Sequence, residues 1–230
     1  MKQMNQARII FITGTDTGVG KTLLTGLLLR RLRDSHCHAL AMKPFCSGSR
    51  ADTEFLRAAQ DRELTLDEIS PVSFPEPLAP LLSARKHRRV ISLPDVLRSI
   101  KCLAARCQCL LIEGIGGLLV PLGEGFTVRD LIARLDCEVI IVSCNRLGTI
   151  NHTLLTVEAL KTTVNKGLKI VLMSHKKEDL SSRWNHRIMA ELLAPVPVLP
   201  VPFLSGNLAQ IKALKNNRKK IQKTLARILD

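Results

Sequence analysis

Short runs of consecutive apolar residues, separated by stretches with helical periodicity, constrain the fold of this chain more than any other feature. The first run, residues 8–13, leads directly into a glycine-rich loop and then into a helix with an apolar stripe over 21–34. Four further runs occupy 39–43, 109–114, 137–143 and 169–173. Because the longer runs lack the polar alternation of half-exposed strands, they predict strands that are buried on both faces.

Helical stretches lie between these runs, at 93–105, 127–135, 150–164, 183–193 and 211–230. Strands that alternate with helices predict an α/β fold, a mostly parallel sheet with helices on both faces. The run at 196–201 contains prolines, which predict an edge strand. The chain shows no linker or repeat, so we expect a single domain over 1–230. The proline-rich segment 70–80 is either a wall over the site or a surface loop.

The net charge of +14 favours anionic ligands such as nucleotides, carboxylates or nucleic acid. With no tyrosine and one tryptophan, the chain is poorly equipped to stack bases, so nucleic acid is the less favoured partner.

The seven cysteines show no zinc-ligand spacing and indicate reduced thiols. No apolar run has the length of a membrane span and no signal-peptide layout occurs, so we expect a cytoplasmic protein without a membrane partner.

The segment FITGTDTGVGKT, residues 11–22, has the strand–loop–helix context of a phosphate-binding P-loop. Its first glycine is Gly14, one residue before the position that the usual P-loop spacing requires. The loop glycines let backbone N–H groups face phosphate, and the helix N-terminus adds its dipole. Lys21 is expected to reach the β- and γ-phosphates, and Thr22 to ligate Mg²⁺. We therefore expect a P-loop NTPase-like fold.

Charged residues follow two other strands whose carboxyl ends reach the same edge of the sheet, where ligands bind. Lys43, in MKPFCSGS, ends the second strand, and beside a P-loop its ammonium group is expected to enter the same cleft. Glu113, in CLLIEGIGG, ends the strand that normally supplies a carboxylate to magnesium. Gly114, Gly116 and Gly117 follow it, so backbone can approach a ligand closely there.

Two further motifs have both a structural and a functional interpretation. Asp52 is either an N-cap or first-turn acid of a helix, or a residue that faces the metal. In CNRLGTINHTLLT, residues 144–156, a loop with Gly148 leads to a helix whose cap is Thr149 or Asn151. The N-terminus of that helix is suited to a carboxylate, although ordinary helix capping accounts for the same residues.

Four of these motifs, in this order, resemble those of the dethiobiotin synthetase family. The P-loop resembles TGTDTGVGKT, with the glycine displaced as it is here, and KPxxSGS matches residues 43–49. EGxGGxxxPL matches 113–122, and LGxINHxLLT matches 147–156. The resemblance extends from residue 8 to about 160 and weakens beyond it. It implies that Gly14 belongs to the form that this loop takes in the family.

The resemblance implies an ATP-dependent ligase of biotin biosynthesis that closes a ureido ring on 7,8-diaminononanoate with CO₂ or bicarbonate. The implied reaction passes through a carbamate and a carbamic–phosphoric anhydride, releases ADP and phosphate, and uses Mg²⁺. It requires no protein nucleophile, so catalysis consists of positioning and charge neutralisation. In this family a second subunit holds the substrate carboxylate at a helix N-terminus, which implies a homodimer with its sites at the interface.

The same resemblance assigns a role to residues of each motif. The catalytic residues are Lys43, Lys21 and Thr17. The substrate-binding residues are Ser47, Gly116 and Gly117, with Thr149, Ile150 and Asn151 across the interface. The metal ligands are Thr22, Asp52 and Glu113. The nucleotide-binding residues are Gly18, Val19, Gly20, Lys21, Thr22, Leu23, Asp52, Glu113, Gly114, Ile115 and Gly116. Beyond the four motifs, Pro202, Phe203 and Leu204 are expected to complete the nucleotide site by packing on the base through their backbone.

Two other classes share the expected fold: a sibling amide- or ring-forming ligase, and the partition-type P-loop ATPases, which dimerise on ATP and bind DNA or membranes. The basic last helix suits the second class. Against it, those ATPases carry a second lysine early in the loop, where this chain has Asp16, and they lack KPxxSGS.

The sequence departs from the synthetase family near the expected adenine site. Many members end the fifth strand with an asparagine that reads the adenine edge, and here Ser174 or His175 occupies that region. The absence of this side-chain amide predicts that ATP is used with only slight discrimination against other triphosphates.

Overall fold

A computed structural model describes residues 7–177, 179–204 and 219–230. The strands are β1 (Arg8–Gly14), β2 (Ala39–Met42), β3 (Phe45–Ser47), β4 (Val72–Phe74), β5 (Cys109–Glu113), β6 (Pro121–Gly123), β7 (Phe126–Thr127), β8 (Glu138–Cys144), β9 (Leu168–Met173) and β10 (Val198–Val201). The helices are α1 (Lys21–Asp34), α2 (Ala51–Ala59), α3 (Leu66–Ile69), α4 (Pro80–Lys86), α5 (Leu93–Ala104), α6 (Val128–Ala133), α7 (Thr149–Leu160), α8 (Ser182–Leu192) and α9 (Gln222–Leu229).

Six strands form one sheet in the order β10-β9-β8-β1-β5-β2, and every neighbouring pair in it is parallel. Parallel crossovers are right-handed, and the chain moves across the sheet in one direction from β1 to β2 and in the other from β8 to β10. Helix α1 therefore covers one face, and α7 and α8 cover the other. This confirms the predicted α/β architecture, and proline-containing β10 is an edge strand, as predicted.

The centre of the sheet is buried because both of its faces are covered. Ile10, Phe11 and Ile12 are consecutive in β1, and each is at most 1% exposed. Burial of a side chain of this size stabilises the fold by about 1.5–3 kcal/mol relative to exposure. Because both faces of a central strand are buried, an apolar side chain stabilises the fold at every position along it. This explains the continuous apolar runs of the sequence.

Several small elements lie outside the sequence prediction. Strands β3 and β4 pair in a separate parallel sheet, and β6 and β7 form an antiparallel hairpin. These strands have two or three residues each, too few to show a periodicity. Helices α2, α3 and α4 are also additions, whereas the longer predicted helices and strands start and end within a few residues of their predicted bounds.

The predicted last helix is only partly within the described residues, because 211–218 lie outside them. Its described part, α9, packs against α1 and β10 and buries Leu225 and Ile228. Its basic residues stay on the outer side, where Lys219, Lys220 and Lys223 are exposed. Within the described residues, no helix is both long and apolar enough to traverse a bilayer.

Candidate active site

The P-loop connects the end of β1 to the start of α1, and its two most constrained positions are glycines. A Cβ atom on Gly14 would lie 2.8 Å from Val19 Cγ2 and 3.0 Å from Lys21 Nζ, so no larger residue fits there. Gly20 has φ of 100°, a conformation that glycine adopts at little cost, and it forms the N-cap of α1. The close approach of Val19, Lys21 and the Asp16 carbonyl oxygen thus explains why the displaced position is a glycine.

Lys21 lies across the loop and is largely buried. Its ammonium group donates hydrogen bonds to the carbonyl oxygens of Asp16 and Gly116, both at 2.8 Å. Burial lowers the pKa of Lys21 to about 8, with a smaller opposing effect from the Glu113 carboxylate. The lysine therefore joins the P-loop to the glycine segment that follows β5, so these two segments form opposite sides of one cleft.

Lys43, at the end of β2, forms the second cationic position of the cleft. Its ammonium group contacts an Asp52 carboxylate oxygen and donates to Glu113 Oε1 at 2.9 Å. Burial disfavours the charged form of Lys43, but the Glu113 and Asp52 carboxylates outweigh it and raise the pKa of the lysine. Asp52 lies in the first turn of α2, as its structural interpretation predicted, and its carboxylate also faces the cleft.

Thr22, Asp52 and Glu113 place oxygen atoms around one point of the cleft. The Thr22 hydroxyl donates to Glu113 Oε1 at 2.7 Å, and Glu113 is 1% exposed. Glu113 Oε2 is buried and accepts no hydrogen bond within the described residues. One hydroxyl and two carboxylates form a hard-oxygen set of the kind that Mg²⁺ prefers, so this group fits a magnesium ion. No cluster of three or more His, Cys, Asp or Glu suited to a metal occurs in the described part of the chain.

These residues line a cleft of about 560 Å³ at the carboxyl edge of the sheet. The predicted site residues that line it are Thr17, Gly18, Gly20, Lys21, Thr22, Leu23, Lys43, Ser47, Asp52, Glu113, Ile115 and Gly116. The Ser47 hydroxyl oxygen is buried and forms no hydrogen bond within the described residues. The cleft thus has two cations and a free hydroxyl around a space large enough for a polyphosphate and a small substrate.

The far side of the cleft is formed by Pro77, Leu78, Ala79 and Pro80, which we call the wall. This favours the wall interpretation of segment 70–80 over a surface loop. Glu76 holds the wall near the end of α4, where its carboxylate accepts from Lys86 Nζ at 2.7 Å and lies 2.9 Å from His87 Nε2. None of the wall residues was a predicted site residue, and the proline-rich composition was the one signal for them.

Some predicted residues lie outside this cleft. Val19 packs its side chain toward Gly14, and Gly114 lies against the Phe11 ring. Gly117 lines a neighbouring cavity of about 510 Å³, together with Leu119, Leu155 and other residues. Pro202, Phe203 and Leu204 follow β10, next to Ser174, whose N–H donates to Val201 O at 2.9 Å.

Thr149, Ile150 and Asn151 form the first turn of α7 and do not line the cleft of their own chain. The expectation that Thr149 or Asn151 caps this helix is wrong. Gly148, with φ of 91°, is the N-cap, and the Thr149 hydroxyl lies inward, 2.5 Å from Ser143 Oγ. Within the described residues, the N–H groups of Ile150 and Asn151 find no acceptor, so the helix N-terminus is free to bind an anion.

A larger cavity, about 940 Å³, lies at the opposite edge of the sheet, where β1 and β5 begin. Its lining includes Arg8, Ile100 and Gln108, and it contains none of the predicted site residues. In parallel sheets ligands bind at the carboxyl edge, so we assign the smaller cleft as the candidate active site.

Comparison with known sequences points to one family. The family described as “AAA domain” matches residues 8–217. The chain is 46% identical over 204 residues to the ATP-dependent dethiobiotin synthetase BioD of Anaeromyxobacter dehalogenans strain 2CP-C, covering 85% of this chain and 90% of that protein. It is 38% identical over 196 residues to the ATP-dependent dethiobiotin synthetase BioD of Bacillus licheniformis, covering 83% of each chain.

Comparison with solved structures gives the fold. The MinD cell division protein of Aquifex aeolicus matches with a TM-score of 0.58 and 15% identity, over 97% of each chain. A pNOB8 ParA bound to nonspecific DNA matches with a TM-score of 0.58 and 12% identity, over 96% of this chain and 99% of that one. At these identities the similarity shows a shared fold and carries no information about activity.

Proposed function

The chain belongs to the dethiobiotin synthetases, ATP-dependent ligases of biotin biosynthesis, and on that premise we propose that it closes a ureido ring on 7,8-diaminononanoate. The co-substrates are CO₂, supplied as bicarbonate, and ATP. The single observation that supports this most strongly is the position of Lys43, whose ammonium group enters the P-loop cleft between two carboxylates. A second cation opposite Lys21 suits a reaction in which charge builds up on an acid and on phosphate together.

The proposed chemistry has three steps. One substrate amine adds to CO₂, loses a proton and becomes a carbamate. A carbamate oxygen attacks the γ-phosphorus of ATP, which forms a carbamic–phosphoric anhydride and releases ADP. The second amine then attacks the carbamoyl carbon, loses a proton and expels phosphate, which closes the ring. No step needs a covalent bond to the protein, so the protein contributes orientation and charge stabilisation.

In this scheme the cations act on different atoms of the reacting group. Lys43 stabilises the carbamate and the transferring phosphoryl group from the β2 side, and Lys21 stabilises the phosphoryl group from the loop side. Thr17, at the cleft-facing bend of the loop, donates a hydrogen bond to the carbamate or the γ-phosphate. The burial of both lysines supports these roles, because charge–charge interactions are stronger where water is excluded.

Mg²⁺ would be held by Thr22, Asp52 and Glu113, and when bound it would neutralise charge on the β- and γ-phosphates. The free Oε2 atom of Glu113 supports this assignment, since a buried carboxylate oxygen without a partner is otherwise costly. Asp52 and Glu113 also contact Lys43, so the same acids orient the lysine toward the reacting atoms.

The nucleotide would lie along the P-loop, its phosphates facing Gly18, Val19, Gly20 and Leu23, with Gly114, Ile115 and Gly116 on the other side. The base would lie near Pro202, Phe203 and Leu204, which follow the last strand. The diamine would occupy the space between Ser47 and the wall. The partnerless Ser47 hydroxyl supports that position, because an amine can both donate to it and accept from it.

We further propose a homodimer in which α7 of one subunit completes the site of the other. The N–H groups of Ile150 and Asn151 are free and suit a carboxylate, yet they do not line the cleft of their own chain. The cavity lined by Gly117, Leu119 and Leu155 adjoins the cleft, and both leucines are more than half exposed. An exposed apolar region beside an incomplete site supports an interface with a second copy.

The test is the substrate requirement of ATP turnover. Purified protein with Mg²⁺ and ATP should release phosphate only when 7,8-diaminononanoate and bicarbonate are both present, and mass spectrometry should detect the cyclic urea. Omission of either substrate is the internal control. ATP hydrolysis that proceeds without the diamine, or that DNA stimulates, would contradict the proposal and favour a partition-type ATPase.

A further inference from the structure

The loop 145–148, which joins β8 to α7, is held from the side by the start of α8. Asn185, 3% exposed, donates from Nδ2 to Asn145 Oδ1 at 3.0 Å and to Arg146 O at 3.2 Å. Asn145 in turn donates from Nδ2 to Ser182 O at 3.0 Å, and its own carbonyl oxygen accepts from Ser182 Oγ at 3.1 Å. These hydrogen bonds connect the loop directly to α8.

A second contact comes from Asp179, which precedes α8. Its Oδ2 atom accepts from the Leu147 N–H at 2.7 Å, and its Oδ1 atom accepts from Ser181 Oγ at 2.6 Å and from Ser182 N at 2.9 Å. The Ser181 hydroxyl and the Leu147 N–H lower the pKa of Asp179 to about 2, so the carboxylate accepts these bonds at any physiological pH. We call Asp179, Ser182 and Asn185 the α8 clamp.

The clamp acts on the backbone immediately before the first turn of α7. Arg146 O, which accepts from Asn185, also accepts from the Thr149 N–H at 3.1 Å. The next two N–H groups, those of Ile150 and Asn151, are the ones that find no acceptor within the described residues. A shift of the loop would therefore change the direction of these two N–H groups.

We propose that Asn185 and Asp179 are positioning residues that aim the Ile150 and Asn151 N–H groups at the substrate carboxylate. This inference rests on the proposed function and adds two residues that do not touch the substrate. A hydrogen bond from an N–H group to a carboxylate is strong but directional, so its strength depends on how well the helix N-terminus is aligned. Asn145, Ser182 and Asn185 are buried and bonded to one another, and such groups hold an alignment well, while exposed Asp179 adds the contact to the Leu147 N–H.

The experiment compares two diamines on Asn185→Asp, which keeps the size of the side chain and removes its donating amide. The substrates are 7,8-diaminononanoate and nonane-2,3-diamine, in which a methyl group replaces the carboxylate. We expect KM for diaminononanoate to rise about tenfold, with kcat and the KM for ATP within about twofold of wild type. We expect kcat/KM for nonane-2,3-diamine to be unchanged, because that substrate has no carboxylate to misalign.

Three further variants complete the experiment, one as a control and two as further tests of the clamp. Asn165→Asp makes the same change at an exposed position outside the clamp and should leave all constants unchanged. Asp179→Ala removes the other contact at an exposed side chain, so it tests the inference even if Asn185→Asp does not fold. Asp179→Asn keeps an acceptor oxygen, so its KM for diaminononanoate should lie between those of wild type and Asp179→Ala.

The outcomes separate this inference from the proposed function. Equal losses with both diamines, or an increase in the KM for ATP, would overturn the positioning role and make the clamp a general structural element. An unchanged KM for diaminononanoate in both clamp variants would overturn it as well. A wild-type protein that turns over neither diamine would instead contradict the proposed function itself.

Discussion

At the scale of single residues, the cleft buries charged side chains of a kind that is normally exposed to water. Lys43 is 6% exposed and Glu113 is 1% exposed, and each is tolerable because it contacts the other. Buried Glu113 and partly exposed Asp52 place two carboxylates beside one lysine, so the group retains the capacity to bind a metal cation. The charged groups that pair with one another in the cleft are thus the ones assigned to the reaction.

The first prediction concerns Lys43. Lys43→Gln keeps the length of the side chain and removes its charge, and loss of one such stabilising group costs about 3–4 kcal/mol, or about 10²–10³ in kcat. Steady-state turnover should fall by this factor while ATP binding and the circular dichroism spectrum persist. Lys101→Gln, at an exposed lysine of α5, is the matched control. Near-normal turnover of Lys43→Gln would remove this residue from the mechanism.

The second prediction concerns the cysteines, all seven of which are described and are free thiols. Burial raises the pKa of Cys109 and of Cys137 to about 12, and a raised thiol pKa means that the reactive thiolate forms only as pH approaches that value. At pH 8 the thiolate fraction of each is on the order of one in ten thousand.

We therefore expect iodoacetamide at pH 8 to label exposed Cys102 first and to leave Cys109 and Cys137 unmodified, as read by peptide mass spectrometry. Labelling in urea, where every thiol is accessible, is the control. Modification of Cys109 or Cys137 in the folded protein ahead of Cys102 would contradict the burial argument.

At the scale of elements, the site is assembled from the carboxyl ends of strands and from one irregular segment. β1, β2 and β5 supply the P-loop, Lys43 and Glu113, since their parallel arrangement brings all three ends to one edge. The wall comes from the stretch between β4 and α4, and the Glu76 contacts hold it in place. Regular strands thus fix the charged groups, while the wall closes the far side of the cleft.

The third prediction concerns the end of β9, where no asparagine is available to read adenine. Ser174 is bonded through its N–H to Val201 O, and exposed His175 follows it. A hydroxyl or one imidazole tautomer cannot reproduce the paired donor and acceptor of an amide. A bidentate base contact gives about 1–3 kcal/mol of discrimination, so its absence should leave preferences among ATP, CTP, GTP and UTP below roughly tenfold. The measurement is kcat/KM for each triphosphate at fixed diamine and Mg²⁺.

A strong preference for ATP would contradict this prediction. A preference for ATP above about a hundredfold would show that another group, such as the backbone at Pro202–Leu204, reads the base. Replacement of Ser174 by Asn then provides the matched variant, which should increase the preference for ATP if this position faces the adenine edge.

At the scale of the whole molecule, the chain has a large positive charge and an exposed apolar region beside the active site. The charge is +14, and a charge of this sign favours association with anionic ligands such as ATP more than it affects turnover. Leu119, Leu155 and the N-terminus of α7 form the region where a second copy is proposed to bind.

The fourth prediction is the mass of the native particle. Light scattering should give about twice the chain mass of 25.5 kDa. Leu155→Glu places a charge on the 61%-exposed leucine of the proposed interface and should shift the particle toward monomer and lower activity. Leu82→Glu, at a leucine 53% exposed on α4, is the control. A stable monomer with full activity would rule out the shared site.

The fifth prediction concerns nucleic acid. The described basic residues of the C-terminal region, among them Lys220, Lys223 and Arg227, are exposed and would contact phosphates without reading bases. We expect weak, non-specific DNA binding that declines steeply with salt, and no effect of DNA on ATP turnover. Tight, ATP-dependent DNA binding at physiological salt, measured by fluorescence anisotropy, would favour the partition-type function.

The sequence by itself determined the architecture and most of the charged groups of the cleft. Continuous apolar runs can be satisfied only between two helical layers, and glycine–lysine–threonine after a strand has few uses other than phosphate binding. Lys43 and Glu113 were predicted in the same way, from their positions at strand ends, whereas the site role of Asp52 came from the family resemblance. These signals are local, because each depends on a few neighbouring residues.

Only the tertiary structure decided which groups meet. It joined Lys43 to Glu113, 70 positions away, and placed the wall opposite the P-loop. It made Gly148 the cap of α7, turned the Thr149 hydroxyl inward and attached the preceding loop to Asn185, 40 positions from Asn145. Such contacts depend on packing between distant elements, which leaves no periodicity or composition signal in either segment.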